Sequence, residues 1–227
     1  MIKKTILTIS LLIFSYVSAS FILKIIKTDN LFTYGMSITD PTKAIFYLEQ
    51  ADAEFGQFNF NVTSLLATKY IQLKQYDKAI ETYSKSLRSH PNNVNAMLNL
   101  GYCYLQTGDL DQAEHWFKEV LKITPKSFKA FNNLSLVYQS KGNYQQSVKT
   151  LQEGLKHNPD HVDSLMNLAN LYMQLEKGTD AIDTYKRILE ITPDDNVREK
   201  LSQIYYSWGN MEKAWEFAPS NAKTTGE

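Results

Sequence analysis

Apolar residues recur along most of the chain at a fixed 34-residue step. Four leucines and four tyrosines follow this step, and each tyrosine stands four positions after its leucine. Residues four apart lie on the same face of an α-helix, so each Leu–Tyr pair predicts a helix that buries one face. The pairs are Leu66 and Tyr70, Leu100 and Tyr104, Leu134 and Tyr138, and Leu168 and Tyr172. The pattern predicts an array of equivalent helical units.

A second helix is predicted in each unit by a small residue, a bulkier apolar residue four positions later, and a closing proline. The small residue lets two helices cross closely, and proline ends the helix because it lacks a backbone N–H. The small residues are Ala79, Ala113, Ser147 and Ala181, the bulky ones Tyr83, Phe117, Leu151 and Tyr185, and the prolines Pro91, Pro125, Pro159 and Pro193. Gly108 and Gly142 fall between the helices, where positive φ is easily adopted. The fourth unit has Glu176 there instead, so its turn geometry is left open.

This period and residue set resemble the tetratricopeptide repeat family, whose unit is a pair of antiparallel helices. On this resemblance, complete repeats cover residues 60–93, 94–127, 128–161 and 162–195. A partial fifth repeat, or C-terminal cap, covers 196–218 and contains Leu201, Tyr205, Gly209 and Ala214, one residue out of step. The implied fold class is all-α: a right-handed α-solenoid of helix-turn-helix repeats behind an N-terminal hydrophobic signal or anchor helix.

Residues 1–27 predict an export signal or a single-pass membrane anchor. Residues 5–23 are uncharged and mostly apolar, and as a helix they would extend about 28 Å, close to the thickness of a bilayer's hydrocarbon core. Lys3 and Lys4 form a basic start, and the small residues at 17–20 would suit a signal peptidase. Apolar residues resume after that site, which favours an uncleaved anchor. Both alternatives place the repeats outside the cytoplasm, in the periplasm or its equivalent, or secreted after cleavage.

The segments that flank the repeats are predicted from local signals. Residues 28–41 contain Gly35, Asp40 and Pro41 and are predicted to be a linker. Residues 42–59 are predicted to form an N-terminal capping helix or half repeat, with 42–51 as a lone second helix. Residues 219–227 form a polar tail.

Composition and charge exclude several classes of function. The chain has 24 basic and 24 acidic residues, but residues 1–27 contain four lysines and no acid, so residues 28–227 have a net charge of −4. A mildly acidic body lacks the basic surface of a nucleic-acid binder. The single cysteine, Cys103, permits no internal disulfide and is best explained as a core residue. No catalytic constellation, cofactor site or metal site is recognised, and the chain is predicted not to be an enzyme.

The resemblance implies that the first helices line a concave groove that binds peptides or other proteins. Asn99, Asn133 and Asn167 stand at the same place in successive units and would form a ladder of amides. A carboxamide both donates and accepts hydrogen bonds, so it can pair with a peptide group without reading the side chain. The other predicted groove residues are Asn95, Asn132, Asn170, Gln72, Gln106, Gln174 and, as the one basic group, Lys129. Asparagine is also common at this place in the family, so the ladder could equally be repeat consensus.

Aromatic residues are concentrated at the C-terminal end. They are Tyr205, Tyr206, Trp208, Trp215 and Phe217. Two interpretations stay open: these side chains fold back onto the fourth repeat, or they form an edge for docking or dimerisation.

The predicted function is that of a non-catalytic adaptor, scaffold or assembly factor that binds an extended segment of another protein. The membrane is a further partner if the N-terminal helix is uncleaved, and nucleic acid is not expected. One alternative is a scaffold that self-associates through its aromatic C-terminal edge. The other is an accessory subunit of an envelope enzyme or secretion complex.

Overall fold

A computed structural model describes the backbone of residues 2–55 and 60–219, and the side chains of residues 16, 20–53 and 61–219. Within these ranges the chain is all-helical, with twelve α-helices and no β-strand. The helices are α1 (Ile2–Ser37), α2 (Pro41–Phe55), α3 (Phe60–Gln72), α4 (Tyr76–Ser89), α5 (Val94–Thr107), α6 (Leu110–Ile123), α7 (Phe128–Ser140), α8 (Tyr144–His157), α9 (Val162–Gln174), α10 (Gly178–Ile191), α11 (Asp195–Ser207) and α12 (Met211–Glu216).

The chain forms two compact units, Met1–Trp116 and Phe117–Glu227. Helices α1–α5 lie in the first unit and α7–α12 in the second, while α6 spans the boundary. In the first unit, α1 packs on α2, α2 on α3, α3 on α4 and α4 on α5. In the second unit, each helix from α7 to α11 packs on the one that follows it. Both units are therefore built from helices that contact their neighbours in sequence, as expected of a repeat protein.

The starts of four first helices are fixed by side-chain caps. In each, the residue before the helix accepts a hydrogen bond from a backbone N–H of the first turn, which would otherwise lack a partner. These cap residues are Asn93 for α5, Ser127 for α7, His161 for α9 and Asp194 for α11. The first three follow the 34-residue step, and Asp194 stands one position before the place, 195, that the step predicts for the fourth. The fifth helix pair thus begins one residue earlier than the 196–218 frame predicted from the sequence.

From the α3–α4 pair to the α11–α12 pair, the turn inside each pair has a left-handed residue at one position. Gly108 and Gly142 have φ of 85° and 73°, and Gly209 has 74°. Lys74 and Glu176, at the same place in the first and fourth repeats, both have φ of 56°. The turn geometry left open for the fourth repeat is therefore the same as in the others. Because a side chain disfavours this conformation, packing of the two helices must impose it on Lys74 and Glu176.

The core of each unit follows the small and bulky positions of the repeat. Ala79, Ala181 and Ser147 are fully buried, as are Tyr83 and Tyr185 four residues after the two alanines. In the second unit, Ala181 and Tyr185 belong to one apolar cluster formed by helices α8 to α12. The hydroxyl of Ser147 is buried and has no hydrogen-bond partner in the described part of the chain. Serine at this place fits by size and not by polarity.

The N-terminal region differs from its sequence-based prediction. Helix α1 continues to Ser37, so most of the predicted linker 28–41 is helical. Asp40 and Pro41 instead start α2, since the Asp40 carboxylate accepts a hydrogen bond from the backbone N–H of Thr42 at 2.9 Å. The helix predicted to be alone is paired, because α1 lies so close to α2 that a Cβ on Gly35 would come within 2.9 Å of Leu48. The rest of the predicted segment, residues 56–59, lies outside the described residues.

Across the described residues, no helix has both the length and the apolar character needed to cross a membrane. Side chains 1–15 and 17–19 of the predicted signal or anchor lie outside the described ones. Export and anchoring stay predictions. The polar tail lies outside the described residues from position 220 onward.

Candidate partner-binding surface

In the first unit, the amide of Asn99 is bonded to the fold. Its Nδ2 donates to the hydroxyl of Tyr83 at 2.8 Å, and the hydroxyl of Thr68 lies 3.1 Å from the same oxygen. Tyr83 is fully buried, and this burial raises the pKa of its phenol. Asn99 therefore satisfies a polar atom that burial would otherwise leave without a full set of partners.

In the second unit, two amides of the predicted ladder are free. Asn133 and Asn167 are half-buried on α7 and α9, and neither side chain makes a hydrogen bond to any described residue. Phe117 and Leu151 stand where Tyr83 stands in the first repeat, and neither has a hydroxyl to bond. Asn133 and Asn167 can consequently offer both donors and an acceptor to a ligand. The ladder residues thus differ in role although their sequence spacing is identical.

Two other predicted groove residues also hold helices together. Asn132 accepts a hydrogen bond from the buried hydroxyl of Ser164 at 2.8 Å, which joins α7 to α9. Asn170 accepts one from the hydroxyl of Tyr185 at 2.7 Å, which joins α9 to α10. Asn170 is nevertheless exposed, and its amide N–H groups stay available. The remaining predicted groove residues are exposed on their first helices: Gln72, Asn95, Gln106, Lys129 and Gln174.

A cleft of about 360 Å³ lies between α9 and α11 in the second unit. Asn170 and Met173 line its α9 side, Lys200, Gln203 and Ser207 its α11 side, and Tyr185 reaches it from α10. The structure therefore places one predicted groove residue, Asn170, in a concave site. Sequence reasoning missed Lys200. The sequence does contain a signal for this residue. Leu201 is the repeat leucine, offset by one position, and Lys200 directly precedes it. Asn99, Asn133 and Asn167 directly precede their own repeat leucines in the same way.

The aromatic C-terminal edge divides into two groups. Tyr205 is buried and stacks on Phe217 with ring centroids 5.7 Å apart. Trp208 lies against the backbone of Gly178, where a Cβ would come within 2.5 Å of the indole. Tyr206 and Trp215 stay 65% and 58% exposed. Tyr205 and Phe217 pack on the apolar cluster that includes fourth-repeat residues, and Trp208 covers Gly178 of that repeat, whereas Tyr206 and Trp215 stay open.

The cysteine and the capping histidine have structural surroundings. Cys103 is fully buried, and burial raises the pKa of its thiol to about 12, so it stays a neutral thiol at physiological pH. His161 caps α9 through Nδ1 and lies against the ring of Phe128, with centroids 4.0 Å apart. Among the described residues, no group of three or more His, Cys, Asp or Glu side chains is arranged to hold a metal ion.

Comparison with known proteins identifies the family. A profile of the tetratricopeptide repeat matches residues 74–135 and 138–204, more than half of the chain. The chain belongs to the tetratricopeptide repeat family. The resemblance carried by the 34-residue step is thereby confirmed. No curated protein matches the sequence.

Solved structures show the same fold at low sequence identity. Pseudomonas aeruginosa pilF is 16% identical with a TM-score of 0.68, covering 86% of this chain and 90% of that one. MamA residues 41 to the end, from Desulfovibrio magneticus RS-1, is 17% identical with a TM-score of 0.65, covering 74% and 94%. Another MamA crystal structure is 24% identical with a TM-score of 0.58, covering 67% and 90%. At these identities the likeness concerns the fold alone. The chain is a tetratricopeptide-type interaction module.

Proposed function

We propose that this tetratricopeptide repeat protein is a non-catalytic adaptor or assembly factor that binds an extended segment of a partner protein. The observation that carries the proposal is the pair of free, half-buried amides of Asn133 and Asn167, one repeat apart in the second unit. Neighbouring helices are about 10 Å apart, and an extended peptide rises about 3.3 Å per residue. The two amides would therefore meet peptide groups about three residues apart along the segment. Amides recognise the peptide backbone, so the segment is held mainly by its main chain.

Crosslinking followed by mass spectrometry tests the proposal. The full-length chain is expressed as wild type, as the Asn133→Ala, Asn167→Ala double variant, and as Gln145→Ala, which removes an exposed amide on the second helix α8. We expect one or a few partners to be lost from the double variant and retained by Gln145→Ala. An identical partner list for all three chains would show that the two asparagines are repeat consensus and that the proposal is wrong.

Export or anchoring through residues 1–27 is part of the same proposal. It is supported by the uncharged run at 5–23 behind Lys3 and Lys4, and by the exposed apolar side chains at residues 21–26 of α1. These are Phe21, Ile22, Leu23, Ile25 and Ile26. Exposed apolar side chains on a helix favour a lipid environment. A reporter active only outside the cytoplasm, fused after residue 41, should be active. Alkaline extraction of membranes then separates an anchor, which stays in the pellet, from a cleaved signal.

Self-association through the C-terminal edge is a second candidate, favoured by the exposure of Trp215. In the third and fourth repeats the corresponding residues, Val148 and Ile182, are buried. Sizing of the wild type and Trp215→Ser over a wide concentration range tests this. A larger species that forms with rising concentration, and only in the wild type, supports self-association. A monomer throughout excludes it.

A further inference from the structure

Lys200 occupies the ladder position of the fifth helix pair. Counted from the first residue of each capped first helix, the sixth residue is Asn99 in α5, Asn133 in α7, Asn167 in α9 and Lys200 in α11. Because the Asp194 cap starts α11 one residue early, a count of 34 residues from Asn167 reaches Leu201 and not Lys200. Within the second unit, the row of positions that begins with two neutral amides thus ends with an ammonium group.

No described acidic residue lines the cleft beside Lys200. This lysine is the one charged residue among those that line the cleft between α9 and α11. Its side chain is exposed, and no described acidic residue pairs with it. The carboxylate of the preceding residue, Glu199, instead accepts a hydrogen bond from Gln203 at 3.1 Å. The ammonium is thereby available to a ligand.

Polar groups beside Lys200 add donors. Asn170 uses its Oδ1 as the acceptor for Tyr185, so its two Nδ2 hydrogens are not committed by that bond. An ammonium together with amide N–H groups is suited to a carboxylate, since hydrogen bonds to ionised acceptors are stronger than those between neutral groups. Met173 gives the cleft an apolar wall.

We propose that the bound segment carries one acidic side chain, Asp or Glu, that is seated in this cleft on Lys200. The inference rests on the proposed function and deepens it, because it assigns a charge and a position to the ligand. At a helix spacing of about 10 Å the acidic residue lies about three residues along the segment from the peptide group that meets Asn167. The main chain is held by the amides, and the register is fixed by the lysine.

Selection from a random peptide library displayed on phage tests the proposal and requires no identified partner. The peptides are joined to the coat protein by their C terminus, so each carboxylate that they offer is a side chain. Four full-length baits are compared: wild type, Lys200→Gln, Lys200→Glu, and Lys149→Glu as a control. Lys149 is an exposed lysine on α8 outside the cleft. We expect wild type and Lys149→Glu to enrich peptides with Asp or Glu at one fixed position. Lys200→Gln should lose that preference, and Lys200→Glu should select Lys or Arg there.

Affinity measurements extend the test. A selected acidic peptide should bind Lys200→Gln about threefold more weakly than wild type, because the lysine is exposed, and its Gln-substituted version should bind both baits equally. Peptides enriched by the wild type with no acidic preference would overturn the Lys200 inference and leave the binding function standing. Enrichment of carboxylates only in a second library with free C termini would show that a chain terminus, and not a side chain, is bound. Failure to enrich any peptide with any bait would count against both proposals.

Discussion

The hydroxyl of Tyr83 and the side-chain amide of Asn99 form a 2.8 Å hydrogen bond between α4 and α5. This bond connects the second helix of one repeat to the first helix of the next, at a site where Tyr83 is fully buried. A residue expected to face a ligand therefore also satisfies the core. The same two positions one and two repeats later have Phe117 with Asn133, and Leu151 with Asn167, where no such bond can form.

Substitution of Asn99 should cost stability, whereas substitution of Asn133 should not. Asn99→Ala leaves the buried Tyr83 hydroxyl with one partner fewer and should lower the free energy of unfolding by about 1–2 kcal/mol. Asn133→Ala should change it by less than about 0.5 kcal/mol. Urea unfolding of both variants gives the difference. In a double-mutant cycle with Tyr83→Phe, Asn99→Ala should lose most of its effect. Equal effects of Asn99→Ala and Asn133→Ala would contradict the assignment.

Ser147→Ala should stabilise the protein. The Ser147 hydroxyl is buried without a described hydrogen-bond partner at a place where the other repeats have alanine. Removing the oxygen recovers the desolvation penalty of the unpaired group, about 1 kcal/mol. Thermal unfolding should give a melting temperature raised by a few degrees. The reciprocal change Ala181→Ser in the next repeat serves as the control and should lower it. A destabilised Ser147→Ala would show that the hydroxyl has a partner.

Substitutions at two left-handed turn residues should change the stability of the protein in opposite directions. Glu176→Gly should relieve the strain of φ 56° and stabilise the protein by about 0.5–1 kcal/mol, after the greater flexibility of glycine in the unfolded chain is deducted. Gly142→Ala, at φ 73° with no atom near its added Cβ, should destabilise it by about 1 kcal/mol through backbone strain alone. Chemical denaturation measures both. The idea fails if the two substitutions change stability in the same direction.

Cys103 should resist thiol reagents and make stability fall at alkaline pH. Burial raises its pKa from 9.0 to about 12, so the folded chain keeps its proton where the unfolded chain loses it. The contribution of the neutral Cys103 thiol to the free energy of unfolding is complete below about pH 9 and is lost progressively between about pH 9 and 12. A thiol-specific chromogenic reagent should react with the urea-unfolded protein and not with the native one at pH 8. In Cys103→Ala the alkaline loss of stability should be smaller. Fast native labelling would contradict the burial.

Sequence reasoning worked best where the structure is locally encoded. The 34-residue step predicted helix pairs in residues 60–195, and helices α3 to α10 lie in those windows, two to each. It failed at both ends of the array. Residues 28–41 contain turn-forming residues but are helical to Ser37, and Gly35 there lies close to Leu48 of α2. The one-residue offset of α11 was visible in Leu201 and Tyr205, yet its effect on Lys200 was not recognised.

The sequence by itself determined the repeat family, the helical class and the turn position, because a 34-residue period and helical spacing are written in neighbouring residues. Only the tertiary structure decided which asparagines are free. The sequence predicted that Asn99, Asn132 and Asn170 would face a ligand. Each of them instead bonds to a residue on another helix: Tyr83, Ser164 and Tyr185, respectively. Such bonds depend on how the helices pack, because each forms where a tyrosine or serine on another helix comes within reach of the amide. The cleft at Lys200 arises in the same way, from the junction of α9 and α11.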